Sequence, residues 1–234
     1  MDIPKVICMI PARIGSQMFR KKNLALIGSK TILEMGIEKA INANIFDRII
    51  VNGDDDIFES ISKKKGIEYF KRDKNLGSSN TKSDDVVFDF LSNFSCENII
   101  WLNAIAPLQT LDDIRSFTLS LKQANIDAQF ATKRQYLQAI YNKIPLNFSD
   151  KEKFPKTQDL VPIELFVPSL MGWKSKSFLE KYKIDNHAFF CGNVNYFPVS
   201  TLSSLVIKTE SDFRLIRSVI EGISSYDKEI SYFD

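Results

Sequence analysis

The residues best suited to chemistry lie in a basic segment that follows the first apolar run of the chain. Residues 10–23 read IPARIGSQMFRKKN and carry four positive charges, among them Arg13 and Lys22. Backbone N–H groups in a loop after a strand can cradle a phosphate, and basic side chains add charge-assisted hydrogen bonds. Gly15 and Ser16 supply the small residues of a tight loop. The segment therefore suits a nucleoside triphosphate, although a basic surface loop without function would look similar.

A group of carboxylates, NGDDD at 52–56, follows the second predicted strand. Asp54 and Asp55 could hold a divalent cation, or could serve as the carboxylate pair at a strand end that a glycosyltransferase uses. The simpler interpretation is that these residues begin a helix, because the helix dipole favours negative charge at its N-terminus. The sequence leaves these alternatives open.

The cysteines and the single histidine give little sign of further chemistry. Cys8, Cys96 and Cys191 lie far apart in apolar surroundings, and no C-x-x-C pair suggests zinc. We expect buried thiols in a reducing compartment, which favours the cytoplasm. The chain has a single histidine, His187, so chemistry that needs two histidines is excluded.

Composition argues against two further classes of protein. The 31 basic and 29 acidic residues give a net charge of +2, whereas a nucleic-acid binder is usually more basic. No apolar run reaches the roughly 18 residues of a membrane span, and the N-terminus lacks a signal-peptide pattern. We therefore expect a cytoplasmic protein with no nucleic-acid partner and no membrane association. Its 234 residues, 44% of them hydrophobic, are enough for one sizeable domain.

The elements that must position the basic segment alternate between strand and helix. Short apolar runs predict strands at 5–10, 48–51, 66–70, 98–102 and 127–132. Helical periodicity predicts helices at 31–41, 57–65, 84–93, 114–123 and 213–223, and capping-box patterns begin three of them, at Thr31, Thr110 and Thr209. This order predicts an α/β fold with a mostly parallel sheet and helices on both faces. In such sheets the ligand lies at the carboxyl ends of the strands, which is where the basic segment, NGDDD and NAIAPLQT leave their strands.

Residues of about 133–190 break this alternation. They include apolar stretches such as YLQAIYNKIPLNF and IELFVPSLMGW outside the strand–helix pattern. We interpret them as an arm inserted into a single domain of residues 1–234. The arm would cover either the mouth of the active site or another subunit. Burial across a two-fold axis would give the large apolar interface of a homodimer.

Six motifs, in collinear order, resemble the acylneuraminate cytidylyltransferases, the CMP-sialic acid synthetase family. IPARIGSQMFRKKNL is similar to that family's IPARxGSKxxPxKNL loop, and IIWLNAIAPLQTLDDI is similar to its LLQPTSPLRTxxDI. The run 48–91, TQDL at 157–160, CGNVNYFPVSTL and VIKTESDFRL follow in the family's order. The resemblance implies a Rossmann-like domain with a dimerisation arm. It also implies that CTP is joined to the anomeric hydroxyl of a nonulosonic, sialic-type sugar acid, with release of pyrophosphate.

The resemblance also implies roles for particular residues. Catalysis would use Arg13 and Lys22 of the matching loop, together with Lys208, which stands where the family pattern has an aspartate. Asn103 and Gln109 would contact the sugar acid. The nucleotide would be bound by ten residues: Arg13, Gly15, Ser16, Lys22, Asn23, Arg72, Ser79, Asn80, Thr81 and Ser83.

The sequence departs from the family pattern where a metal would bind. The two aspartates of the family's IDIDTE motif align with Val206 and Lys208. Carboxylates hold Mg²⁺ and an ammonium does not, so Mg²⁺ is possible but its usual ligands are absent. Three explanations follow: Lys208 supplies the positive charge itself, the metal uses other carboxylates such as Asp54, Asp55 and Glu210, or the site does not turn over. The expected function is therefore a cytidylyltransferase, with a non-catalytic binding relative or a glycosyltransferase-like enzyme as alternatives.

Overall fold

The computed structural model describes residues 3–78 and 80–223, which form a central sheet with helices on both faces. The strands are β1 (Val6–Ala12), β2 (Leu26–Ile27), β3 (Lys30–Thr31), β4 (Arg48–Gly53), β5 (Glu68–Lys71), β6 (Asn98–Leu102), β7 (Ala128–Gln135), β8 (Ile140–Tyr141), β9 (Ile144–Pro145), β10 (Ile163–Lys174) and β11 (Val194–Pro198). The helices are α1 (Ile32–Ala43), α2 (Asp56–Lys64), α3 (Ser83–Asn93), α4 (Leu111–Leu121), α5 (Ser175–Asp185) and α6 (Glu210–Ile223).

Seven strands form the central sheet in the order β11-β7-β10-β6-β1-β4-β5. β1 is parallel to β4 and β6, β5 is parallel to β4, and β11 is parallel to β7. Only β10 runs against its neighbours β6 and β7 within this sheet. The predicted α/β fold with a mostly parallel sheet is therefore confirmed.

The central strand β1 shows why the sheet forms here. Its residues 6–10 are fully buried, as expected of a parallel strand covered by helices on both faces. α1 and α4 lie on one face, where Arg115 of α4 donates to the carbonyl of Ala43. α3 and α5 cover the other face, where Phe88 and Tyr182 stack with ring centroids 4.1 Å apart. Successive apolar side chains of β1 point to opposite faces of the sheet and therefore pack into two separate cores.

All three predicted N-cap bonds form, but only Thr31 and Thr209 complete the capping box, because the N–H of Thr110 donates to the Ser203 hydroxyl and not to Asp113. Glu34 N–H donates to the Thr31 hydroxyl and Asp113 N–H to the Thr110 hydroxyl, each at 3.1 Å. At the third, Asp212 N–H donates to the Thr209 hydroxyl at 3.2 Å. These caps fix where α1, α4 and α6 begin.

The predicted arm of 133–190 is divided by the structure into parts with different roles. Its second half contains β10 and α5, and β10 is a strand in the middle of the central sheet. Residues 133–135 belong to β7. The part outside the central sheet is therefore 136–162, which we call the arm. The wider boundary does not fit, because β10 pairs with β6 and β7 in the antiparallel direction, which an alternating strand–helix pattern does not reveal.

None of the helices in the ranges 3–78 and 80–223 is long and apolar enough to cross a membrane. The carboxyl ends of β1, β4 and β6 lie at one edge of the sheet, because these strands are parallel. The basic segment leaves β1 at this edge, and Asp54 and Asn103 follow β4 and β6 there. The expected convergence of these loops is therefore confirmed.

Candidate functional site

A cavity of about 340 Å³ opens at this edge of the sheet. It is lined by Pro11, Arg13, Ser16, Lys22, Asn23, Arg72, Leu76, Ser78, Thr81, Lys82, Ser83, Val86, Trp101, Asn103 and Ile105. These described lining residues include four cations and no carboxylate. The cavity is therefore suited to a ligand with several negative charges.

The basic segment folds back on itself to bring two of these cations together. Lys21 has a left-handed backbone conformation, with φ of 52°, and a short 3₁₀ turn, Lys22–Leu24, follows it. Asn23 is buried, and its side-chain N–H donates to the carbonyl of Arg13 at 3.1 Å. Asn23 thus closes the loop so that Lys22 and Arg13 line the same cavity.

A second cavity, of about 580 Å³, lies beneath the same loop. It shares Arg13, Ser16 and Ser78 with the first cavity and is also lined by Gly15. The Arg13 guanidinium approaches the carbonyl of Ser78 at 3.5 Å. Arg13 therefore stands on the boundary between the two cavities and contacts the loop on the opposite side.

Arg72 forms the buried part of the cavity wall. It donates to the carbonyl of Ala12 at 3.2 Å and lies 3.9 Å from the carboxylate of Asp54. Asp54 is itself buried and accepts the N–H of Ile14 at 2.9 Å. Burial lowers the pKa of Arg72, and the charge of Asp54 acts in the opposite direction. The pair thus fixes the start of the basic loop against the end of β4.

Lys22 is a half-buried ammonium. Burial lowers its pKa, the charges of Arg13 and Lys208 lower the pKa further, and Asp212 raises it. Within the described residues, no carboxylate forms an ion pair with Lys22 or Lys208, whereas the exposed Lys71 is paired with Asp56. Burying a cation without a partner costs free energy. An anionic ligand at this point would remove that cost.

The segment before α6 brings Lys208 to the same loop. Ile207 donates its N–H to the carbonyl of Ile105, which lines the cavity, at 2.8 Å. The rings of Phe213 and Phe19 have centroids 5.4 Å apart, so α6 contacts the basic loop directly. Lys208 itself is exposed and does not line the cavity.

Most of the predicted nucleotide-binding residues lie together. Thr81, Ser83 and Asn103 line the first cavity with the cations described above. Asn80 is exposed and does not line it. Ser79 lies outside the described residues. Most of the candidate residues that the structure describes therefore line one cavity, and their contact with a nucleotide stays a prediction.

Gln109 requires a correction. It was predicted to contact the sugar acid, but it is 1% exposed and does not line either cavity. Its side-chain N–H donates to the carbonyl of Ser169 at 2.8 Å. The contact joins the loop after β6 to β10, a pairing between positions 60 residues apart that the sequence does not show.

Seven lining residues are absent from the candidates from sequence, and three of them, Lys82, Trp101 and Ile105, bear on the chemistry of the cavity. Lys82 lies within the segment between Ser79 and Ser83 and adds a fourth cation. Trp101 is two residues before Asn103, so strand alternation would have placed both side chains on one face of β6. Ile105 adds an apolar side chain to the cavity wall. Its backbone carbonyl accepts the N–H of Ile207, a long-range contact that the sequence does not show.

The residues present do not fit a metal held by carboxylates. Asp55 caps α2 by accepting the N–H of Ile57 at 3.0 Å, and Asp54 is engaged with Ile14 and Arg72. Glu210 is exposed in the first turn of α6. Across residues 3–78 and 80–223, no group of three or more His, Cys, Asp or Glu side chains is placed to hold a metal ion.

Comparison with known proteins points to one family. A sequence model of the cytidylyltransferase family matches residues 7–166. The chain is 30% identical to a pseudaminic acid cytidylyltransferase of Campylobacter jejuni, over 76% of this chain and 82% of that protein. It is 27% identical to a CMP-N,N'-diacetyllegionaminic acid synthase of the same species, over 92% and 95% of the two chains.

A solved structure shares the fold. The CMP:2-keto-3-deoxy-manno-octonic acid synthetase, solved as a complex with CTP, superposes with a TM-score of 0.70. The match covers 93% of this chain and 98% of the other, at 14% identity. At this identity the likeness shows a common fold and nothing more specific.

Proposed function

Because the chain belongs to the cytidylyltransferase family, we propose that it joins CTP to a nonulosonic sugar acid, giving a CMP-sugar and pyrophosphate. The family makes the chain a nucleotidyltransferase. In the proposed reaction a hydroxyl oxygen of the sugar acid forms a bond to the α-phosphorus of CTP and loses its proton. The bond between the α-phosphorus and the oxygen that bridges to the β-phosphorus breaks, and its electron pair leaves with pyrophosphate.

The observation that supports this proposal is the charge of the cavity. Four cations and no carboxylate stand among its described lining residues, at the edge of the sheet where α/β folds bind ligands. Fixed positive charge stabilises the negative charge that develops on the departing pyrophosphate. Arg13 and Lys22 are proposed to contact the phosphates, and Arg72 with the 81–83 segment to enclose the cytidine.

Two observations suggest which type of sugar acid is used: the names of the relatives and the residues that the loop after β6 brings to the cavity. The relatives are named for pseudaminic acid and N,N'-diacetyllegionaminic acid. Asn103 is the polar residue that this loop brings to the cavity, and Ile105 lines the cavity beside it. An apolar wall accepts the methyl of an acetamido group and offers no hydrogen bond to a hydroxyl. A nonulosonic acid with acetamido groups therefore fits this wall better than one that relies on hydroxyl contacts.

We further propose that the protein works as a homodimer in the cytoplasm. The arm exposes large apolar side chains, including Ile140, Ile144, Phe154 and Val161. Exposed apolar surface of this kind marks an interface, and a second copy of the chain would cover it by two-fold symmetry. The three cysteines are free and buried, which is compatible with a reducing compartment.

A second candidate is a relative that binds the nucleotide without turnover. It is favoured by one observation, that the positions where the resembling family has metal-binding aspartates are Val206 and Lys208. The glycosyltransferase alternative has no such support, because Asp54 is buried with Arg72 and Asp55 caps a helix.

Pyrophosphate release separates these functions. The full chain is incubated with CTP and, in turn, pseudaminic, N,N'-diacetyllegionaminic, N-acetylneuraminic and 2-keto-3-deoxy-manno-octonic acid, each with and without Mg²⁺. We expect pyrophosphate and a CMP-sugar only when CTP and an acetamido nonulosonic acid are both present. CTP binding without product from any acid would instead support the non-catalytic relative.

A further inference from the structure

The cavity and its surroundings hold more positive charge than their own carboxylates neutralise. Arg13, Lys22, Arg72 and Lys82 line the cavity, and Asp54 engages only one of them, Arg72. Some cations elsewhere in the described part of the chain do have carboxylate partners, as Arg48 has in Glu68 and Lys65 in Glu38. An excess of fixed positive charge therefore lines the cavity where the triphosphate is proposed to lie.

Lys208 adds a fifth cation from a neighbouring segment. Its backbone is fixed on both sides: Ile207 N–H donates to the Ile105 carbonyl, and Lys208 N–H donates to Asp212 Oδ2 at 2.9 Å. Because Ile207 is hydrogen-bonded to Ile105 of the cavity wall, the next residue, Lys208, lies beside the cavity. From there its side chain is proposed to reach an anion held by the basic loop.

The carboxylate of Asp212, four residues after Lys208, already has one oxygen in use. Asp212 Oδ2 accepts the N–H groups of Lys208 and Thr209, at 2.9 and 2.8 Å, and so caps α6. Val206 cannot ligate a metal at all. In nucleotide sites, Mg²⁺ is usually held by one or two carboxylates together with the phosphates. This site lacks those protein carboxylates.

We propose that the site binds the triphosphate through side-chain cations alone, with Lys208 joining Arg13 and Lys22 to supply the charge that a carboxylate-held divalent cation would supply. This inference rests on the proposed function for the identity of the nucleotide, but the anion site can be tested independently of the base. Metal-free triphosphate is then the form that binds. An added divalent cation competes with the lysines for the same oxygens.

The test is titration calorimetry with the full chain. Two probes, CTP and inorganic tripolyphosphate, are each titrated in EDTA and in excess Mg²⁺. We expect both to bind in EDTA, with no gain in affinity when Mg²⁺ is added. Lys208→Ala should weaken the binding of both probes in EDTA by about tenfold, the size expected for a lost charged contact.

Two further variants make the test specific. Lys176→Ala is the matched control, because Lys176 also lies near a helix N-terminus, is 86% exposed and stands at the opposite edge of the sheet. It should bind as the wild type does. The double variant Val206→Asp with Lys208→Asp should bind both probes poorly in EDTA and should regain affinity for them when Mg²⁺ is added. Thermal melts in the absence of probe check that this variant is folded.

The outcomes separate the inference from the proposed function. Tripolyphosphate binding in EDTA that depends on Lys208, with no preference for CTP, would support the inference and contradict the cytidylyltransferase proposal. Binding of CTP only when Mg²⁺ is present would overturn the inference and leave the function standing. The inference also fails if neither probe binds under either condition, or if Lys208→Ala binds as the wild type does.

Discussion

At the scale of single residues, Lys22 departs from what stability alone would select. It is half-buried, its pKa is lowered by burial, and among the described residues it has no ion pair. Proteins accept such local costs mainly where a ligand or a reaction repays them. We therefore attribute the position of Lys22 to anion binding rather than to folding.

Replacing this charge should have opposite effects on stability and binding. Lys22→Met keeps most of the volume and removes the ammonium, so we expect the free protein to gain about 1 kcal/mol, or roughly 2–4 °C in Tm. Affinity for CTP should fall about tenfold or more, because a charged contact is lost. Thermal melts without ligand and calorimetry with CTP measure the two effects.

The control is Lys176→Met, which removes a lysine that is 86% exposed and should change neither quantity. Unchanged CTP affinity in Lys22→Met would show that the ammonium does not contact the nucleotide.

The sequence identified single residues best where they follow a strand. Arg13 was predicted from its position at the exit of a buried strand and Asn103 from the family resemblance, and both line the cavity. Gln109 was misjudged because its partner is the carbonyl of Ser169, a contact that local sequence does not show. From sequence alone, a polar side chain that binds a distant backbone group cannot be distinguished from one that faces a ligand.

At the scale of elements, a hydrogen-bonded cluster holds the segment that carries Lys208. Asp113 in the first turn of α4 accepts hydrogen bonds from the hydroxyls of Thr110, Ser200 and Ser203, the last two at 2.6 Å. Burial alone would raise the pKa of Asp113, but these hydrogen bonds lower it below its ordinary value of 3.8. The carboxylate therefore stabilises the folded protein in its ionised form.

This lowered pKa predicts a pH dependence with a definite sign. Asp113→Asn should lower the free energy of unfolding by about 1 kcal/mol at neutral pH, because a partly exposed charged acceptor is lost. The stabilisation by Asp113 is fully present above its ordinary pKa and is lost as pH falls through the lowered pKa. The difference between wild type and variant should therefore be constant from about pH 7 to pH 5 and shrink towards about pH 2.

Urea unfolding of both proteins across this range measures the difference. A difference that stays constant down to the lowest pH would contradict the role of the ionised carboxylate.

Elements were predicted well where the chain alternates strongly between strand and helix, and poorly at β10. The stretch IELFVPSLMGW contains Pro168, which argues against a strand in the interior of a sheet. In the structure the pairing of β10 with β7 shifts register between Phe166 and Met171, so Pro168 lies at an irregularity where no regular ladder is needed. The sequence shows the proline but not the irregularity that accommodates it.

At the scale of the whole molecule, the arm is ordered although it leaves the sheet. β8 and β9 form a hairpin whose turn residues Asn142 and Lys143 have φ of 49° and 68°, as expected of a two-residue hairpin turn. Asn147 side-chain N–H groups donate to the carbonyls of Leu137 and Val161, both at 2.9 Å. An ordered arm with exposed apolar side chains is suited to contact a second copy of the chain.

The proposed homodimer can be tested by light scattering. We expect a mass about twice the 26.8 kDa of the chain at micromolar concentration. The double variant Ile140→Asp with Ile144→Asp should shift the protein towards monomer, because charge is placed in an apolar interface. Ile184→Asp is the control, since Ile184 is 83% exposed on α5 and lies outside the arm. A monomeric wild type would refute the dimer.

A crystal structure of the protein grown with CTP would test the proposed triphosphate site. We expect density for the triphosphate in the cavity at the carboxyl ends of β1 and β6, with phosphate oxygens within hydrogen-bonding distance of Arg13 and Lys22. Nucleotide bound elsewhere, or a cavity in which these two side chains turn away from the phosphates, would contradict this site.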